Sequence, residues 1–78
     1  MNYYDEAFGI ADAMAAEGLV TESKAIRDAI ESGSTATEIL MRLRWQMQEI
    51  HAAKKCLLLD TQRRIKSIIA ALDRELSG

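Results

Sequence analysis

TATEILMRLRWQMQEIHAAKKCLLLDTQRRIKSIIAALDRELS, residues 35–77, contains neither glycine nor proline. A stretch well beyond about 25 residues without such punctuation is typical of an extended helix or a coiled coil. If each residue advances by about 100° around a helix axis, the main set of apolar residues stays within one sector about 120° wide. Because a loop would usually reset that phase, the pattern favours one long helix over about residues 36–76. The alternative is two collinear helices broken near residue 60, where Asp60 and Thr61 could cap a new helix.

Two shorter helices are predicted before this run. Apolar residues at helical spacing predict a first helix over about residues 3–17, and Gly18 suits the left-handed position after its end. Thr21 is the expected N-cap of a second helix over about residues 22–32. The connection between them is short, so they form an antiparallel hairpin. Residues 1–78 make a single domain.

The composition predicts an all-α fold. The chain has no proline and only one valine, and no segment alternates apolar and polar residues as a strand would. The predicted architecture is a short N-terminal helical hairpin followed by one long helix, with an antiparallel bundle formed on dimerisation.

The junction ESGSTATE, residues 31–38, could be read as a phosphate-binding loop. A loop of the Walker type needs more glycines, a following lysine and a preceding strand, and this stretch offers none of these. The interpretation we favour is a helix boundary: Gly33 ends the second helix, Thr35 caps the next one, and Glu38 completes the capping box.

Apolar residues on two sides of the long helix predict a homodimer. A chain of this length buries only about 60% of the surface that its unfolded form exposes, and one short hairpin cannot cover both sides. Within the main stripe, Lys54 and Thr61 are polar residues that could set the register of pairing. The expected dimer seam consists of Leu43, Met47, Ile50, Lys54, Leu57, Thr61, Ile65, Ile68 and Leu72. The face expected to pack against the hairpin consists of Met41, Trp45, Ala52, Cys56 and Leu59.

Residues suited to catalysis or metal binding are few. His51 and Cys56 are the only candidate pair of nucleophile and base. On a continuous helix they lie about 140° apart, so they would not meet within one chain, although they could meet across a dimer. With one histidine and one cysteine, no zinc or di-iron pattern is present. We therefore expect no enzyme activity, no cofactor and no metal.

Charge is divided unevenly along the chain. Residues 1–33 hold seven acids and two bases, a balance of −5, whereas residues 34–78 hold five acids and eight bases, a balance of +3. The interpretation we favour is that the acidic half folds onto the basic half, or that these charges lie on solvated faces. The alternative is a basic helix that contacts nucleic acid or an acidic partner. Its contact residues would be Lys55, Arg63, Lys66 and Arg74.

These observations predict a small, non-enzymatic protein-interaction or regulatory protein that is homodimeric and binds a second protein of unknown identity. An inhibitor or immunity-type protein is attractive, because a small acidic helical protein suits the masking of a basic active site. A nucleic-acid-associated protein is the alternative function. One unpaired cysteine fits a reducing interior, and we see neither a signal peptide nor a membrane segment, so a cytoplasmic location is expected.

Overall fold

Four α-helices follow one another along residues 2–56 and 58–77, which are the residues that a computed structural model of the protein describes. They are α1 (Tyr3–Ala16), α2 (Val20–Glu31), α3 (Ala36–Ala52) and α4 (Leu59–Ser77). The all-α prediction is confirmed for these residues. The bounds of α1 lie within one residue of the predicted ones, and α2 begins two residues earlier, so Thr21 lies in its first turn and Leu19 is its N-cap.

The helices form a closed ring in which each packs against the next and α4 packs back against α1. Contacts between α1 and α4 run in opposite directions along the two helices: the Tyr3 hydroxyl donates to the Ala71 carbonyl at 3.5 Å, and Arg64 Nε lies 2.9 Å from Glu6 Oε1. The radius of gyration is 11.4 Å, against about 11.5 Å expected for a compact domain of this length. One chain therefore completes the bundle.

The single long helix was a wrong prediction, and so was its collinear alternative. A helix over residues 36–76 would be about 60 Å long, yet the longest dimension of the chain is 31 Å. The chain leaves α3 after Ala52, and α4 returns alongside α3 instead of continuing it.

The reversal begins with a Schellman motif at the end of α3. The Lys54 N–H donates to the His51 carbonyl at 3.1 Å, and the Lys55 N–H donates to the Ile50 carbonyl at 3.4 Å. Lys54 has a φ of 51°, in the left-handed region. The end of α1 is built in the same way, with Gly18 at a φ of 89°. The motif thus occurs twice, once with glycine at the left-handed position and once with lysine.

Lys54→Gly should raise the free energy of unfolding by about 0.5–1 kcal/mol, because glycine has no Cβ to strain a left-handed backbone. Lys24→Gly is the matched control: Lys24 lies inside α2, so the same exchange there should lower stability by about 1 kcal/mol. Urea unfolding followed by circular dichroism measures both. A Lys54→Gly protein less stable than the native chain would contradict this assignment of the turn.

At the junction between α2 and α3, Thr35 is the N-cap of α3, and its hydroxyl oxygen accepts the Glu38 N–H at 3.1 Å. The Glu38 carboxylate accepts the Ser34 hydroxyl at 2.8 Å and not the Thr35 N–H, so the predicted capping box is only half formed. The C-cap of α2 is Ser32. Gly33 follows it without a left-handed backbone, and a Cβ there would collide with Cγ1 of Ile39. Close packing, and not a positive φ, requires glycine at this position.

The residues expected at a dimer seam lie instead in the core of one chain. Because α4 folds back, the apolar stripes of α3 and α4 both face the centre of the bundle, together with Ile10, Met14 and Ile26. Seven residues of the predicted seam are buried there: Leu43, Met47, Ile50, Thr61, Ile65, Ile68 and Leu72. Lys54 is exposed, and Leu57 lies outside the described residues. The stripe from which the sequence predicts a dimer seam is thus covered within one chain.

Candidate functional site

The side of α3 that faces away from the core carries two large exposed apolar residues one turn apart. Met41 is 52% exposed and Trp45 is 57% exposed. They border an open groove of about 940 Å³ between α2 and α3, whose other side includes Ala25 and Asp28. We call this region the α2–α3 surface; it consists of Ala25, Asp28, Ala29, Ser32, Thr35, Thr37, Glu38, Met41, Arg42, Arg44, Trp45, Gln46 and Gln48.

The expected hairpin-packing face is therefore not a packing face. Trp45 lies about 200° around α3 from the buried Leu43, and α2 packs beside α3, so Met41 and Trp45 stay uncovered. Ala52 is exposed as well, and Leu59, the first residue of α4, is 58% exposed. Of the five predicted members, Cys56 alone is buried.

Both arginines of the α2–α3 surface are paired with carboxylates. Arg42 lies 2.8 Å from Glu38 one turn earlier, and Arg44 lies 3.4 Å from Asp73 of α4. The hydrogen bond from Ser34, followed by the nearby Arg42 guanidinium, lowers the pKa of Glu38 below its usual value. Of the charged residues that line this surface, Glu38, Arg42 and Arg44 are in ion pairs and, within the part of the chain that the structure describes, Asp28 is not.

Ion pairs also connect the acidic half of the chain to the basic half. Glu6 of α1 pairs with Arg64 of α4, and Glu22 of α2 lies 3.7 Å from Lys55. Within the acidic half, Asp12 pairs with Arg27. These contacts agree with the interpretation that the two halves fold onto each other.

The basic residues singled out in the sequence are all exposed, and two of the four line a cavity. Lys55 and Lys66 line a second cavity, of about 630 Å³, in the corner between α3 and α4. Arg63 and Arg74 do not line it. Lys54 does, although the sequence placed it at a dimer seam, and this corner cavity is a feature that sequence reasoning missed. The only local sequence feature that points to this cavity is the pair of adjacent lysines.

His51 and Cys56 both line the corner cavity, whereas a fixed separation of about 140° around one helix was expected. That expectation assumed a continuous helix through both residues. Burial, followed by the nearby Glu17 and Glu22 carboxylates, raises the pKa of the Cys56 thiol. Because the thiolate is the reactive form of cysteine, this environment disfavours a nucleophile.

Within residues 2–56 and 58–77, no three His, Cys, Asp or Glu residues come together as metal ligands would. Over the same residues, every helix is too short or too polar to cross a bilayer. No family model, curated protein or solved structure matches this chain.

Proposed function

We propose that this protein is a small, non-enzymatic interaction module that forms a homodimer through the α2–α3 surface. The observation that carries the proposal is the exposure of Trp45 with Met41 one turn away. Tryptophan is enriched among the residues that dominate binding energy, and methionine adapts well to a partner's surface. Exposed apolar residues grouped in this way mark interaction sites more often than single scattered ones do.

A second copy of the chain is the partner that the charge pattern favours. An isologous interface brings the same patch of two copies together, so that any strong charge on the patch would repel itself. Arg42 and Arg44 are already paired with Glu38 and Asp73, which leaves Asp28 as the one charged residue in the described lining of the patch without an ion pair. With α3 of one copy antiparallel to α3 of the other, Trp45 of each copy can cover Met41 of the other. The dimer is then made from the far side of α3 and leaves both cores intact.

A regulatory role, in which the dimer binds a second protein, remains part of the proposal. An inhibitor that masks a basic active site with its own acidic residues is less well supported, because Glu6, Asp12 and Glu22 pair with bases of the same chain. The outer faces of α1 and α4 stay free of the proposed dimer contact and are available to another partner.

Sedimentation equilibrium from low to high micromolar concentration tests the homodimer. The weight-average mass should increase from that of one chain towards that of two. Val20→Ala is the matched control, because Val20 is 65% exposed but lies outside the α2–α3 surface, and it should leave the association unchanged. A mass of one chain at every concentration would overturn the proposal. Association with nucleic acid that weakens steeply with salt would instead support the alternative function.

A further inference from the structure

The corner cavity between α3 and α4 combines an apolar floor with a cationic rim. Ile50, Ile65 and Cys56 are buried at its floor. Lys54, Lys55 and Lys66 stand around it, with His51 beside them, and none of its described lining residues is acidic. In a chain of net charge −2, three lysines thus line one cavity, and the carboxylates nearest to it, Glu17 and Glu22, act on Cys56 from outside the lining.

Among the described residues, two of the three lysines have no acidic partner. Lys55 lies 3.7 Å from Glu22, whereas Lys54 and Lys66 take part in no ion pair among the described residues. Their ammonium groups are thus available to a ligand at the cavity. A ligand with an anionic group could approach both without displacing an existing pair.

The backbone of Lys54 supplies an independent observation. Gly18 occupies the corresponding position of the first Schellman motif, and Lys54 holds the second at a φ of 51°. A side chain in the left-handed region costs stability that glycine would not. Residues kept in such conformations are concentrated at functional sites. Binding of a ligand by the Lys54 ammonium group at the cavity would explain why a residue that lowers stability occupies this position.

We infer that the corner cavity binds a small amphipathic anion, with a phosphate or carboxylate group held by Lys54 and Lys66 and a short apolar body placed on Ile50, Ile65 and Cys56. The volume of about 630 Å³ falls in the range of small-molecule sites, about 300–1,000 Å³. The site does not include the α2–α3 surface, so it does not depend on the proposed dimer.

Hexyl phosphate is the probe, and a titration followed by amide chemical shifts of the native chain measures its binding. The largest shifts should fall at Ile50, Lys54, Ile65 and Lys66. Inorganic phosphate and 1-hexanol, which each retain half of the proposed contact, should bind more weakly. Inorganic phosphate that binds as tightly as hexyl phosphate would contradict the role of the apolar floor.

Lys54→Gly and Lys66→Ala should each weaken hexyl phosphate binding by about fivefold, the effect of losing one charged contact at a partly exposed site. Lys24→Ala removes an exposed lysine on α2 and should leave binding unchanged. Lys54→Gly is the decisive variant, because it is expected to unfold at higher urea concentration than the native chain while binding less ligand. Loss of folding cannot produce that combination. Unchanged binding in Lys54→Gly, or an equal loss in Lys24→Ala, would overturn the inference.

Discussion

Ile68→Ala is expected to lower the free energy of unfolding by about 3 kcal/mol. Ile68 is fully buried in the core formed by the four helices, and removing three methyl or methylene groups from such a site costs both their transfer energy and the cavity left behind. A domain of this length has a total stability of roughly 4–12 kcal/mol. Urea unfolding should therefore show a large loss, and near the lower end of that range the variant would be partly unfolded in buffer.

A measurement at low protein concentration distinguishes a core position of Ile68 from a position in the dimer seam that the sequence predicted. The measurement is made at low concentration, where any dimer has dissociated, and the loss should be fully present there. Ser67→Ala, an exposed neighbour on α4, should change stability by less than about 0.5 kcal/mol. If Ile68→Ala left the dilute protein as stable as the native chain, Ile68 would belong to an interface and not to the core.

Trp45→Ala is expected to weaken the homodimer by about 2 kcal/mol or more, which is about thirtyfold in the dissociation constant. Trp45 is the largest exposed apolar side chain of the α2–α3 surface, and its loss leaves Met41 of the other copy without a cover. Because the side chain is largely outside the core, the stability of the monomer should change by less than about 0.5 kcal/mol. Sedimentation equilibrium measures the first quantity and dilute urea unfolding the second.

Leu59→Ala is the matched control for Trp45→Ala. Leu59 is 58% exposed but lies at the start of α4, away from the α2–α3 surface. Its replacement should change dimerisation by less than threefold, roughly the effect of a peripheral residue. Equal effects of the two variants would show that association is not directed to Trp45. A Trp45→Ala protein that dimerises as tightly as the native chain would place the interface elsewhere.

Local signals predicted the first half of the fold well. Gly18 marks the end of α1 because a left-handed residue is needed there, and Thr35 marks the start of α3 because its hydroxyl accepts an N–H of the first turn. The all-helical class followed from composition. Each of these signals acts within a few residues of the position that it determines.

The reversal between α3 and α4 could not be predicted in the same way. Its left-handed residue is Lys54, which lacks the glycine signal. The start of α4 is supported from far away in sequence, since the Leu58 N–H donates to the Glu17 carboxylate at 3.2 Å. Neither feature is visible in the residues that flank the turn.

The constant phase of the apolar stripe was misleading for a related reason. A helix that returns antiparallel is free to rotate about its own axis until its apolar side meets the core. Leu43 and Ile68 therefore share a core whether or not one helix connects them. The two-sided apolar pattern of α3 did carry information: one side, with Leu43, is buried, and the other, with Trp45, is the candidate site.

The fluorescence of Trp45 as a function of concentration tests the central claim most directly. The chain contains a single tryptophan, and its side chain is 57% exposed in one copy, so that its emission reports on the α2–α3 surface alone. On the proposed dimerisation the indole becomes covered. The emission should shift to shorter wavelength and resist quenching by acrylamide as concentration increases, with the same midpoint as the change in mass. A mass that doubles while the emission and quenching of Trp45 stay constant would contradict the account.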